Sequence, residues 1–504
     1  MTYLLRCKNL KSRVVLCFFR RCVKLDKLRE AFGAMVVLKN PERTKFFSDL
    51  SLPSYMRDWL VMKFSDEGGN IDYKGVSRYI KQYIPSREDY EQFKFKMVNG
   101  ESVRFLARIR VGIDIKSGKT IFELPDFGGV KTGAGGEVST DVINRWQDTL
   151  LRESENWGII DLVWEQDFSR TPPRGYIKLI GYQPFCPYSV DLDYYKEARR
   201  RFTTEEWLDV LISAVDYNPR GYETEEQKLN FIRRLLPFVE RRVNLIELAP
   251  MGTGKSYVYE KISKRGWLVS SGTISRASLL YDNNKRTGGL ITQFDYVAFD
   301  EIQSLKFEQP QQIQAALKHY MEFGEVKGFD APIIADAGIV ILGNIDAKKF
   351  NSDINMVDEI NPMFREAAIL DRFHGFIPGW EIPRFHTGII ADGWALNTEY
   401  FAEVMHGMRN ELSYSALVDS CLVVPPKSDM RDLTAIKRIC TGFVKLLFPH
   451  AETKSDIAPI DFIKYCLEPA KAMRTIIKKQ LCIIAPREFD VPGKRDVPDV
   501  QYKY

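Results

Sequence analysis

At 504 residues and 58.2 kDa the chain has room for about three domains. Its 45% hydrophobic and 28% charged residues are ordinary for a globular protein and exclude intrinsic disorder and fibrous repeats. Lys and Arg total 72 against 67 Asp and Glu, a net charge of +5 that is too mild to demand a nucleic-acid partner, so any basic patch must be local. Eight cysteines without C-x-x-C spacing and five scattered histidines argue against structural zinc and for the reduced thiols of a cytoplasmic protein. No run reaches the roughly 18 apolar residues that a membrane span needs, so no membrane association is expected. The basic N-terminus has a short apolar centre at 14–19, interrupted by Arg20 and Arg21, which makes residues 1–24 a loosely ordered extension rather than a signal peptide.

Residues 25–95 read as a mixed helical region with turn signals at Glu67-Gly68-Gly69-Asn70. Over 103–115 every odd position is apolar (Val103, Phe105, Ala107, Ile109, Val111, Ile113, Ile115), with Arg104, Arg108, Arg110, Asp114 and Lys116 among the even ones. This period of two predicts a long, half-buried strand that turns at Ser117-Gly118-Lys119 into another at 120–124. With glycine-rich segments between 128 and 136 and strand-like runs at 159–164 and 176–182, residues 96–190 are expected to form a β-rich, barrel-like domain. Thr203-Thr204-Glu205-Glu206 is a capping-box pattern that opens a helix, and 229–239 reads as a further amphipathic helix. Apolar runs at 245–248, 267–269, 296–299, 339–342 and 373–377 then alternate with helical stretches, as in a parallel sheet covered on both faces. Residues 191–425 are therefore expected to be an α/β nucleotide-binding core. Residues 426–504 should form a helical lid and tail, with Leu433, Ile436, Ile439, Val444 and Leu447 on one helical stripe.

Ala249-Pro250-Met251-Gly252-Thr253-Gly254-Lys255-Ser256 lies between an apolar run and a helical stretch, the context of a phosphate-binding loop. Backbone N–H groups of such a loop surround the phosphates, Lys255 reaches the β- and γ-phosphates, and the Ser256 hydroxyl binds Mg²⁺. Ala249 stands where the first glycine is usual. Tyr296-Val297-Ala298-Phe299-Asp300-Glu301 ends a strand in two carboxylates. Asp300 can hold Mg²⁺ and Glu301 can polarise the attacking water, whereas a solvated strand end is the plainer alternative. Asn344, ending the run 339–342, is either a turn residue or a further group that holds this water. Arg372 is either a salt-bridge residue or an arginine finger reaching a neighbouring subunit's γ-phosphate. Arg431, opening the last amphipathic helix, can fold back onto the phosphates.

In this order and spacing these elements resemble AAA+ ATPases. Asp371-Arg372 and Met430-Arg431-Asp432-Leu433 are similar to the finger and lid arginines of Lon and MCM proteins. The run Leu370-Asp371-Arg372-Phe373-His374-Gly375-Phe376-Ile377-Pro378-Gly379-Trp380-Glu381-Ile382-Pro383 resembles the BrxL family, Lon-like ATPases of bacterial BREX phage defence. So do Leu236-Pro237-Phe238-Val239-Glu240, the phosphate loop and Val297-Ala298-Phe299-Asp300-Glu301, and the similarity runs over about residues 25–474. The resemblance implies an ATP- and Mg²⁺-dependent hydrolase. It further implies hexameric rings, single or stacked in pairs, that encircle DNA and work with other BREX components, the β-rich domain being MCM-like. Longer relatives carry a C-terminal protease-like domain. The chain ends too soon after Arg431 for a domain of roughly 100–150 residues, so a short form without its own protease site is expected.

Two basic groups are candidates for largely sequence-independent contacts to duplex DNA. Arg104, Arg108 and Arg110 share one strand face, with Lys116 and Lys119 at its hairpin; a solvated basic face is the alternative. Lys327, in Gly324-Glu325-Val326-Lys327-Gly328-Phe329, occupies the position of the channel hairpin of MCM-like ATPases. The competing functional reading is a Lon-like protein remodeller, for which Tyr320 and Phe323 are the aromatic candidates for gripping a polypeptide. A third is a nucleotide switch that moves nothing.

Overall fold

The computed structural model describes residues 27–40, 54–66, 70–84, 89–115, 117–125, 136–151, 156–168, 172–184, 190–283, 287–328 and 331–504. They divide into two compact units, one within residues 59–189 and the other combining residues up to 58 with 190–504.

In the larger unit the apolar runs become five strands: β1 (Leu245–Ala249), β2 (Gly266–Val269), β3 (Tyr296–Phe299), β4 (Gly338–Asn344) and β5 (Gly375–Pro378). They lie in the order β5-β1-β4-β3-β2, and every neighbouring pair is parallel. Alternate side chains enter two cores. Leu245, Ala298, Val340, Leu342 and Ile377 face one; Ile246, Leu248, Val297, Phe299, Ile339 and Ile341 face the other. Burial on both faces is why these strands are continuously apolar rather than alternating.

Four helices matter for the site: α1 (Lys255–Lys261), α2 (Pro310–Phe323), α3 (Met430–Leu447) and α4 (Glu468–Ile484). The predicted stripe Leu433, Ile436, Ile439, Val444 and Leu447 is the buried face of α3. Helix α4 packs directly on β5: a Cβ at Gly375 would stand 2.9 Å from Met473 Cβ. Thr203 caps its helix through the expected reciprocal box with Glu206. The stretch 229–239 is not one helix. Glu225–Ile232 gives way to a 3₁₀ turn, Arg233–Leu235, and a new turn starts at Leu236–Val239, with Pro237 in a first-turn position where its missing N–H is harmless.

The region 25–95 does not stay together as one helical piece. Val36–Lys39 is a strand pairing antiparallel with Gly393–Leu396 in the larger unit. Lys39 is buried there against Asp216, at 2.7 Å, and Asp58, at 3.6 Å.

In the smaller unit Val103–Asp114, Lys119–Glu123, Gly136–Val138, Asn156–Asp167 and Arg174–Pro184 close into a five-stranded barrel. Val103, Phe105, Ala107 and Ile109 are buried as the alternation predicts, but Ile113 is 59% and Ile115 91% exposed. Pairing with Asn156–Asp167 ends at Ile109, so the rest of the strand keeps only its hairpin partner. Lys116 and residues 126–135 of the glycine-rich loop lie outside the described residues.

Candidate active site

The loop between β1 and α1 turns on Gly252 (φ +81°) and Gly254 (φ +72°), both in the left-handed region that glycine adopts without strain. It ends at the carboxyl edge of the sheet, where open α/β folds bind ligands. Thr253 and Lys255 are buried, while Met251 and Gly252 are exposed. Lys255 Nζ donates to Asn344 Oδ1 at 2.7 Å. Burial pushes the Lys255 ammonium below its ordinary pKa, against the opposing pull of Glu247, Asp300 and Glu301. A desolvated cation held by a neutral amide is well suited to receiving phosphate oxygens.

β3 and β4 run in parallel register, Phe299 beside Ile341, which brings Asp300, Glu301 and Asn344 to this same edge. Asp300 is 7% exposed; its Oδ1 accepts from the Glu301 amide at 2.9 Å, and Oδ2 takes no hydrogen bond from any described residue. A hydroxyl such as that of Ser256 and a carboxylate such as that of Asp300 are the oxygens that a hard cation such as Mg²⁺ takes. Glu301 is exposed and holds φ at +44°, a costly conformation for a non-glycine residue that clusters at functional sites. The Ser304 amide and hydroxyl donate to the Glu301 carbonyl at 2.8 and 2.9 Å and fix that backbone. Gln303 Nε2 donates to the Asn344 carbonyl at 2.8 Å, tying the acidic turn to the end of β4.

Arg372 and Arg431 are elsewhere. Arg372 lies not in a strand but in the turn between the short helix Ala367–Leu370 and β5. Gly375 pairs with Leu245 in parallel register, so Arg372 sits at the amino edge, opposite the phosphate loop. Five strand residues separate the two edges by roughly 16 Å. Arg372 Nε lies 3.2 Å from Glu322 at the end of α2, and its guanidinium also donates to the Ala368 carbonyl. Arg431 Nη2 lies 3.3 Å from the same Glu322 oxygen and Nη1 2.9 Å from Asp371. Arg431 thus stands away from its own chain's phosphate loop: its helix starts at the amino edge, and the carboxylates there hold it.

Behind the two arginines is a closed charge lattice. Arg474, fully buried, reaches Asp371 at 2.5 Å and Asp432 at 2.7 Å and donates to the carbonyls of Asp371 and Phe373; Lys478 completes Asp432 at 2.7 Å. Glu322 and Arg474 were not singled out from sequence. Glu322 is one carboxylate on a polar helix end, and Arg474 lies 103 residues from Asp371, so no local pattern announces either.

Lys327 is exposed on a hairpin in which Glu325–Lys327 pairs with Pro332–Ile334; Phe329 lies outside the described residues. On the barrel, Arg104 is exposed and 3.2 Å from Asp161, its cross-strand neighbour, while Arg108 and Arg110 are half-buried. Tyr320 cannot grip a polypeptide: it is fully buried and donates to the Ala337 carbonyl at 2.6 Å. Phe323 is 62% exposed. Among the described residues no cluster of His, Cys, Asp and Glu could hold a metal by itself, and no helix is long and apolar enough to cross a membrane.

Residues 177–493 match the family model described as Lon-like protease BrxL-like, ATPase domain. Residues 30–164 match that of the BREX system Lon protease-like protein BrxL N-terminal. The chain is 33% identical over 471 residues to a Lon-like protease BrxL of Escherichia coli O9:H4 (strain HS), covering 92% of this chain and 65% of that protein. With a Lon-like protease BrxL of Bacillus cereus (strain H3081.97) it shares 28% over 478 residues, covering 92% and 67%. The chain thus spans about two thirds of the length of these curated relatives.

Proposed function

The chain belongs to the BrxL family and carries its ATPase domain, and from that premise we propose that it hydrolyses ATP at a site completed by a second copy of itself. In this reading the loop N–H groups from Met251 to Ser256 and the Lys255 ammonium bind the phosphates. Ser256 and Asp300 would hold Mg²⁺, which would supply charge neutralisation on the phosphates. Glu301 orients and polarises the attacking water, and Asn344 shifts from Lys255 to the reacting oxygens. Arg372 enters a neighbouring copy's site as the finger, and Arg431, sharing Glu322 with it, contacts the same phosphates. A closed ring, hexameric and single or paired, satisfies every site at once.

One observation carries this reading. Arg372 and Arg431 converge on one carboxylate oxygen at the edge opposite the chain's own phosphate loop, which supports their use by another subunit. Mixing tests it. Lys255→Ala subunits offer Arg372 but bind no ATP, and Arg372→Ala subunits bind ATP but offer no finger. Co-assembled, they should regain hydrolysis at mixed interfaces. A mixture as inactive as either variant, with co-assembly verified, returns Arg372 to a salt-bridge role.

We further propose that the ring engages DNA in BREX-type phage defence, together with other BREX components. Lys327 and the barrel arginines Arg104, Arg108 and Arg110 would contact phosphates without regard to base sequence. The Lon-like remodelling alternative loses Tyr320, one of its two aromatic candidates.

A further inference from the structure

Glu247 is out of place. It sits in the middle of β1, fully buried, on a face otherwise occupied by Leu245 and its apolar neighbours. Its partner is Arg234, also fully buried, from the 3₁₀ turn that interrupts the expected helix. Arg234 Nε lies 3.2 and 3.0 Å from the two carboxylate oxygens, and Nη2 lies 2.5 Å from Oε1. A buried ion pair is weak support for stability, because apolar residues of similar volume do as well or better. Its remaining hydrogen bond is more informative. Arg234 Nη1 donates to the carbonyl of Thr253, inside the phosphate loop, at 3.0 Å.

The two flanking carbonyls are held in the same way. The Tyr217 hydroxyl, on a side chain 2% exposed, donates to the Gly254 carbonyl at 3.0 Å, and the Phe385 amide donates to the Gly252 carbonyl at 2.7 Å. Three consecutive loop carbonyls are therefore tied to three separate parts of the chain. Across a planar trans peptide, the carbonyl of one residue and the N–H of the next point in opposite directions. Holding the carbonyls of Gly252, Thr253 and Gly254 from behind turns the N–H groups of Thr253, Gly254 and Lys255 to the opposite side. Those are donors that a phosphate-binding loop presents to its ligand. The approach is tight: a Cβ on Gly254 would stand 2.1 Å from the Tyr217 oxygen.

We propose that Arg234 and Tyr217 are positioning residues that hold the phosphate loop in its nucleotide-receiving shape before nucleotide arrives. Glu247 is the counter-ion that keeps Arg234 charged and aimed in an apolar layer. The proposal rests on the nucleotide-binding reading of the loop. Preorganisation of this kind acts on affinity, since the loop loses no further freedom on binding.

The test is binding of a fluorescent ADP analogue to the full chain, with the melting temperature of the nucleotide-free protein measured alongside. Tyr217→Phe removes one hydroxyl and no packing, and should weaken binding by roughly three- to tenfold with only a small drop in melting temperature. The paired replacement Arg234→Met with Glu247→Leu removes the ion pair without leaving a lone buried charge. It should fold at least as stably as wild type yet bind about tenfold more weakly or worse. Wild-type affinity in both variants would overturn the positioning role and leave a merely structural pair. A Lys255→Ala control separates the two levels. If it binds the analogue as well as wild type does, the nucleotide-binding reading itself fails, and the proposal with it.

Discussion

The two edges of the five-stranded sheet carry the same kinds of side chain and treat them oppositely. At the carboxyl edge Lys255 leans on a neutral amide, Asp300 keeps one oxygen free of described partners, and Glu301 is exposed on a strained backbone. At the amino edge Asp371, Asp432, Arg474 and Lys478 are buried and paired charge to charge. Burying charge is costly unless it is paired, so an edge that leaves its charges under-paired is one that a ligand completes. The amino edge is finished by the protein itself, except at its rim. There Arg372 and Arg431 share one carboxylate, and on the reading proposed above this rim completes a neighbouring copy's site.

The largest effect that could break this contrast lies at that rim. Arg372→Ala should cut ATP hydrolysis by on the order of 10³–10⁵ while leaving nucleotide affinity largely intact. Glu301→Gln should likewise bind ATP and stall. A glutamine variant that turns over at the wild-type rate removes Glu301 from the chemistry. Next come effects on stability. Arg474→Ala takes from Asp371 and Asp432 the buried cation they share, leaving each with one partner, Arg431 or Lys478, and should cost about 3–5 kcal/mol in urea unfolding. Asn344→Ala at the carboxyl edge should cost within about 1 kcal/mol. Equal losses at the two sites would erase the distinction.

Acid sharpens the same comparison. Burial tends to raise the Asp371 carboxyl pKa, but Arg474 and Arg431 beside it bring it below the ordinary value. A depressed carboxyl contributes stability above its unfolded pKa of about 4 and loses it as pH falls through the folded one. Asp371→Asn should therefore be less stable than wild type at neutral pH and lose less on further acidification, read as melting temperature against pH. A variant with the wild-type acid profile would remove Asp371 as a source of acid sensitivity. The smallest stability effects belong to the surface. Charge reversal at the exposed Lys327 should move stability by no more than about 0.5 kcal/mol; reversal at Arg104 with Arg108 should cost more, because Arg104 faces Asp161 and Arg108 is half-buried. The same changes should weaken DNA binding across sequences and flatten its salt dependence. Unchanged affinity and slope in both would favour the remodelling alternative.

The phosphate loop, the Asp300-Glu301 pair and Asn344 were legible because each is a short motif welded to the end of an apolar strand, and strand ends in a parallel sheet share an edge. The apolar runs themselves announced the sheet, since burial on both faces leaves a continuous hydrophobic signature. By itself the sequence determined which residues are the candidates for the chemistry and on which elements they ride. Only the tertiary structure decided how the charges pair. Arg234 with Glu247, Arg372 and Arg431 with Glu322, and Arg474 with Asp371 and Asp432 are all brought together by how helices and turns pack around the strands. The place of Arg431 was decided in the same way, because α3 and α4 pack against each other and α4 covers β5. Periodicity records which face of an element is buried, but a charged side chain's partner depends on which distant element packing brings alongside it.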